Sequence, residues 1–161
     1  MDFINLRSVF NRKVSAKIRY FSYTRPLCVI KKMKDLNTDK IQTTEYFKKL
    51  VKEFPTLKEG IENNFSELIH FQMETFSDYT LLQIKNKNTY ELKRCFEFQE
   101  IHIDLLKPEL LNALTVSYCE SLLLSGYSQE MPGIVNLMPP KLKKLYNDYQ
   151  SYYENLANDI L

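Results

Sequence analysis

The sequence predicts an all-α protein, a compact bundle of five or six helices behind a basic N-terminal extension. Three observations lead there. From Thr43 onward, apolar residues recur at three- and four-residue steps, the period of a single helix face. Glycine occurs only three times in 161 residues, which argues against sandwiches, barrels and glycine-rich nucleotide loops. The charge also breaks near Met33: residues 1–34 hold nine Lys and Arg against the single acid Asp2, a net of +8, whereas residues 35–161 hold thirteen against nineteen acids, a net of −6. Pieces so different in charge differ in partner or in fate. The division is therefore an extension over 1–34 and a helical domain over 35–161, long enough to bury an ordinary core.

The elements follow in order. Thr43 or Thr44 can cap a first helix, with Glu45 in its first turn and Tyr46, Phe47, Leu50, Val51 and Phe54 on one face before Pro55. Pro55 can open a second segment in which Leu57, Ile61, Phe65, Leu68 and Ile69 recur at helical steps, with Gly60 weakening it. Apolar character runs on through Phe71, Met73, Phe76, Tyr79, Leu81, Leu82 and Ile84 to the punctuation Lys85-Asn86-Lys87-Asn88. The span 56–85 is one helix, or two broken near Thr75 to Asp78. Thr89 can cap the next helix, which ends before Pro108. Pro108-Glu109 opens the most hydrophobic segment, apolar on nearly every side and so central and buried, with Gly126 as its C-terminal cap. Tyr127 to Pro140 reads as a long ordered loop, and Pro139-Pro140 lead into a last helix with Leu142, Leu145, Tyr146, Tyr149, Tyr153 and Leu156 on one face.

The leader admits several readings. Arg7, Arg12, Arg19 and Arg25 with Ser8, Ser15 and Ser22 match the composition of an organellar presequence, while Val14, Ala16, Ile18 and Tyr20 alternate at period two, as in a strand of a short β-hairpin. It is otherwise a disordered arm, or an artefact of a translation start that belongs at Met33. Its basic residues interleaved with Phe10, Tyr20, Phe21 and Tyr23 could neutralise phosphates and stack bases, so nucleic-acid binding, if any, belongs to this arm. Cys28, Cys95 and Cys119 are an odd set without short spacing, which fits reduced thiols and a cytoplasmic protein. No apolar run approaches the roughly 18 residues of a membrane span.

No catalytic residue is assigned and no cofactor is expected. The metal candidates are Glu67, His70 and Glu74, whose spacing shares one helical face, with Glu120 as a further carboxylate; a di-metal bundle needs the Glu-x-x-His unit twice, and here it occurs once. Glu97, Glu100 and His102 could complete only an asymmetric set. Glu120, inside the most apolar helix, should be paired or hydrogen-bonded, with Ser117 or a tyrosine as its donor. Cys119 could pair with His70 or His102 as a nucleophile, against the plainer reading of an inert buried thiol. Lys141, Lys143 and Lys144 occupy the first turn of the last helix, where the dipole disfavours cations, so neighbouring acids, a bound anion or an acidic partner surface must compensate them. With Tyr149 and Tyr152, these lysines are the candidate partner-binding residues.

From Tyr46 to about Tyr149 the chain resembles a family of small all-helical bacterial proteins of unknown function that occur as stand-alone domains. The resemblance rests on Tyr46-Phe47 through Phe54-Pro55, on Leu68-Ile69-His70-Phe71 leading to Phe76-Ser77-Asp78-Tyr79, on Val116-Ser117-Tyr118-Cys119-Glu120-Ser121-Leu122, and on Leu137-Met138-Pro139-Pro140-Lys141 through Leu145-Tyr146. The family often reads asparagine where Ser121 stands. Some relatives are similar to immunity proteins of bacterial toxin systems, and the resemblance transfers no catalytic residue. The expected function is thus a non-enzymatic protein-binding domain, most concretely a cytoplasmic, immunity-like inhibitor whose partner is a cognate toxin. The alternatives are a carboxylate and histidine metal-binding bundle or enzyme, and a nucleic-acid accessory protein acting through residues 1–34.

Overall fold

The computed structural model of the chain describes residues 40–63 and 68–158, so the leader, Phe65 and Glu67 lie outside the described residues. All but the last two described residues belong to one compact unit, 39–156. Helix α1 spans Thr43–Glu53 and buries Tyr46, Phe47 and Leu50. Its N-cap is Gln42, with no side-chain cap bond, in place of the threonines expected there; Lys107 Nζ instead donates to Gln42 Oε1 at 2.7 Å. Just beyond, Ile41 forms an isolated parallel bridge with Leu106. Pro55 cannot extend α1, and the chain passes through a 3₁₀ turn, Pro55–Leu57, into the short α2, Lys58–Asn63.

Helix α3 runs unbroken over Ile69–Lys85, so 56–85 has no break at Thr75 to Asp78, nor is it a single helix, because Leu68 at φ −104° and ψ 77° lies outside the helical region. The polar residues that argued for a break are satisfied inside the helix. Thr75 Oγ1 donates to the Phe71 carbonyl at 3.0 Å, Ser77 Oγ to that of Glu74 at 2.8 Å and Thr80 Oγ1 to that of Phe76 at 2.9 Å, which removes their competition with the backbone. A tight turn with Lys87 at φ 54° leads to α4, Thr89–His102. Asn88, one residue before the expected Thr89, caps it by accepting the Glu91 N–H at 3.2 Å.

After a 3₁₀ turn, Ile103–Leu105, the most apolar segment forms α5 from three consecutive stretches: α-helical Pro108–Ala113, a π-helical Leu114–Cys119 and α-helical Glu120–Leu123. No glycine among the described residues takes a positive φ, so Gly126 is not the left-handed cap expected of it. The stretch expected to be a long loop holds α6, Met131–Val135, whose Met131 and Ile134 reach the core. Helix α7, Pro140–Asn158, begins where the paired prolines predicted. The described part is therefore all-α, with seven helices when the short α6 is counted and α5 is taken as one.

Helix α3 packs against α2, α4 and α5 and is the hub of the bundle. Its Phe76 sits among Phe54, Phe98 and Tyr118, with ring centroids 5.3, 5.9 and 5.4 Å away. Such tilted and edge-on contacts are the geometry aromatic rings prefer. No helix among the described residues is long and apolar enough to cross a membrane.

Candidate functional site: the outer face of α3

The inner side of α3 meets a set of polar side chains that find each other. Tyr46 donates to Gln99 Oε1 at 2.8 Å, and Thr80 Oγ1 lies 3.1 Å from the Tyr118 hydroxyl, both pairs buried. Glu120, nearly buried, accepts the Tyr149 hydroxyl at 2.8 Å, so a tyrosine is its donor. Burial, and then the Glu120 charge, push the Tyr149 phenol well up. The last two contacts come from the π-helical part of α5 and the residue after it, where the widened turn sets Ser117, Tyr118 and Glu120 towards different neighbours. Ser117 Oγ is 2.8 Å from His70 Nδ1.

That histidine is exposed and lies on the same helix as Glu74, while Glu67 is outside the described residues. Among the described residues no group of three or more His, Cys, Asp or Glu is placed to hold a metal ion. Cys119 is fully buried, and desolvation pushes its thiol up to about 12, as it does for Cys95. Both thiols are protonated at neutral pH and poor nucleophiles. His102 donates through Nδ1 to the Phe98 carbonyl at 2.7 Å, because a carbonyl can only accept.

The lysines of α7 find their compensation within the chain. Glu100 of α4 accepts the backbone N–H of Lys141 at 3.2 Å and of Leu142 at 2.9 Å, placing a carboxylate at the positive end of the helix dipole. Lys141 also pairs with Asp104 and Lys144 with Asp148, and Lys143 reaches Asn136 Oδ1 at 3.0 Å. Tyr149 points inward to Glu120, which leaves Tyr152 as the exposed ring of the pair.

A different arrangement lies on the outer side of α3. Phe71, Glu74, Asp78 and Leu82 follow at steps of three, four and four residues, which places them on one stripe of the helix. Phe71 is 54 % exposed and Leu82 47 %, and Leu68, 43 % exposed, extends the stripe at its start. Helix α2 lies close beside it: a Cβ on Gly60 would stand 2.8 Å from Thr75 Cγ2. Glu59 and Glu62 of α2 are exposed as well. Some acids elsewhere are held by cations, as in Glu45–Lys49 at 3.0 Å and in Glu53 and Glu91 around Arg94 at 2.6 and 2.8 Å. None of Glu59, Glu62, Glu74 and Asp78 has a cation partner among the described residues, and desolvation raises the Asp78 carboxyl above its ordinary value. Sequence reasoning passed over Phe71, Asp78 and Leu82 because they sit in a run that reads as continuously apolar. Their signal is the spacing to Glu74, which separates them from the inward Met73, Phe76 and Thr80.

Comparison with known families brings out one relationship: a domain of unknown function, DUF7674, matches residues 47–154, which is 108 of the 161 residues. No curated protein and no solved structure matches the chain.

Proposed function

This chain belongs to the DUF7674 family of domains of unknown function, and we propose that it is a non-enzymatic protein-binding domain that covers a basic partner, in the manner of a cytoplasmic immunity protein against a bacterial toxin. The observation that carries this reading is the outer face of α3, where Glu74 and Asp78, without a cation partner among the described residues, lie between two large exposed apolar side chains, Phe71 and Leu82. Unpaired carboxylates steer and orient a cationic partner, and exposed aromatic and aliphatic groups supply the desolvated centre that holds it. The net −6 of residues 35–161 adds a long-range field of the same sign.

The test is native mass spectrometry of the tagged full chain purified from its own host, beside a Phe71→Ala/Asp78→Lys variant shown to melt at the same temperature. The expected result is a stoichiometric heteromer with a basic protein that is lost in the variant, together with host cells that become sensitive to that protein when this chain is deleted. A monomer or homo-oligomer from both forms, or a complex indifferent to the variant, overturns the reading.

A further inference from the structure

A second surface, between α1 and α4, owes nothing to the α3 face. The two helices border an open cleft of about 640 Å³, with Lys49 and Lys52 on the α1 side. Tyr90 and Ile101 of α4 line it and are 75 % and 67 % exposed, the most exposed large apolar side chains among the described residues. Eleven residues apart on one helix, they are separated by about 16 Å along its axis. That is the length of about five residues of extended chain.

Between them Phe98 and His102 also line the cleft, with ring centroids 4.4 Å apart. His102 is nine-tenths buried, and its Nδ1 proton is committed to the Phe98 carbonyl. Nε2 is thereby the acceptor of the neutral ring, and it has no partner among the described residues. The ring is largely buried but Nε2 itself reaches solvent at the cleft, and an acceptor on the wall of an open cleft is a position that a bound main chain can complete.

The charges divide in the same way. Arg94 is taken by Glu53 and Glu91, and Lys49 by Glu45. Lys52 on α1 and Glu97 on α4 line the cleft from opposite sides, and neither has a charged partner among the described residues. We propose that this groove binds a short extended peptide segment of a partner protein. The segment carries adjacent acidic and basic residues for Lys52 and Glu97 and apolar side chains that rest against Tyr90 and Ile101, and it donates a main-chain N–H to His102 Nε2. Adjacent residues of an extended chain point to opposite sides, which matches the opposed pair of charges. This proposal stands or falls apart from the reading of α3.

The probe is a fluorescein-labelled heptapeptide, Leu-Phe-Glu-Lys-Leu-Phe-Ser, titrated against the full chain at low salt with anisotropy as the readout. Saturable binding is expected, weakened roughly tenfold by Tyr90→Ala and by Lys52→Glu, both on exposed side chains whose melting temperature is checked alongside. Replacing the peptide's Glu by Lys should restore affinity for Lys52→Glu and weaken it for the parent chain. Absence of saturable binding at millimolar protein, binding indifferent to both variants, or failure of the charge exchange to restore it overturns the proposal.

Discussion

The two sides of α3 obey opposite rules. Facing inward, polar groups are matched one to one: Tyr46 with Gln99, Thr80 with Tyr118, and Tyr149 with Glu120 behind them. The exception is Gln72, whose amide reaches the Ile61 carbonyl at 3.2 Å while its Oε1 has no partner among the described residues. Facing outward, Glu74 and Asp78 lie between Phe71 and Leu82 with no cation partner among the described residues. The inward side does what a stable fold requires. The outward side leaves large apolar side chains in water between carboxylates, and positions of that kind are where function is to be sought.

The sharpest way to break this comparison uses one residue type twice. Phe76 is fully buried at the centre of the aromatic cluster, and Phe71, five residues earlier on the same helix, is more than half exposed. Phe76→Ala should cost about 3–5 kcal/mol, the usual range for emptying a packed aromatic site. Phe71→Ala should change stability by less than about 0.5 kcal/mol while weakening partner binding. Urea denaturation of both variants reads the first pair of numbers. Equal costs at the two positions would mean that Phe71 belongs to the core and that the outer face is not a surface at all.

A smaller effect tests how closely α2 approaches α3 beside the stripe. Gly60→Ala gains about 1 kcal/mol of helix propensity, but its Cβ would enter within 2.8 Å of Thr75 Cγ2. Thr75 cannot turn away without losing the bond from its hydroxyl to the Phe71 carbonyl. With overpacking at about 1–3 kcal/mol, a net loss of about 1 kcal/mol is expected. Thr75→Ser keeps the hydroxyl and removes the obstructing methyl, so in that background Gly60→Ala should be neutral or stabilising. If the second change brings no relief, the close approach of α2 to α3 is not what Gly60 serves.

Much of the inward side was legible in the sequence, because burial imposes a period. The faces of α1, α4 and α7, the buried Glu120 with a tyrosine donor, and the break at Pro55 all follow from residue spacing and the cost of an unpaired buried charge. What escaped was set by contacts between segments distant in the chain. The continuity of α3 through Thr75 to Asp78, which the spacing left open, is by contrast local, with hydroxyls turning back onto their own helix. Helix α6 forms because Met131 and Ile134 find room in the core, and the lysines of α7 are tolerated because Glu100 arrives from α4. The outer stripe escaped for another reason: exposure leaves no periodic demand, so Phe71 and Phe76 look alike until their helix is placed.

The smallest expected effect is the one most specific to the outer face. Desolvation raises the Asp78 carboxyl above its ordinary value, so the folded state binds that proton more tightly than the unfolded chain does. Well below the unfolded value near 3.9 both states are protonated and the group contributes nothing to stability. As pH rises through the folded value, the native carboxylate ionises at a cost, and above it that cost is complete. Asp78→Asn should therefore stabilise the protein at neutral pH and have no such effect at pH 2–3. Because Asp78 is exposed, solvent screening keeps the gain to a few tenths of a kcal/mol. Urea midpoints of the two proteins at pH 7 and at low pH measure the difference. A gain in stability accompanied by a loss of partner affinity is the signature of a carboxylate kept for a partner, whereas destabilisation at neutral pH would reveal an attraction inside the chain and remove the contrast between the two sides of α3.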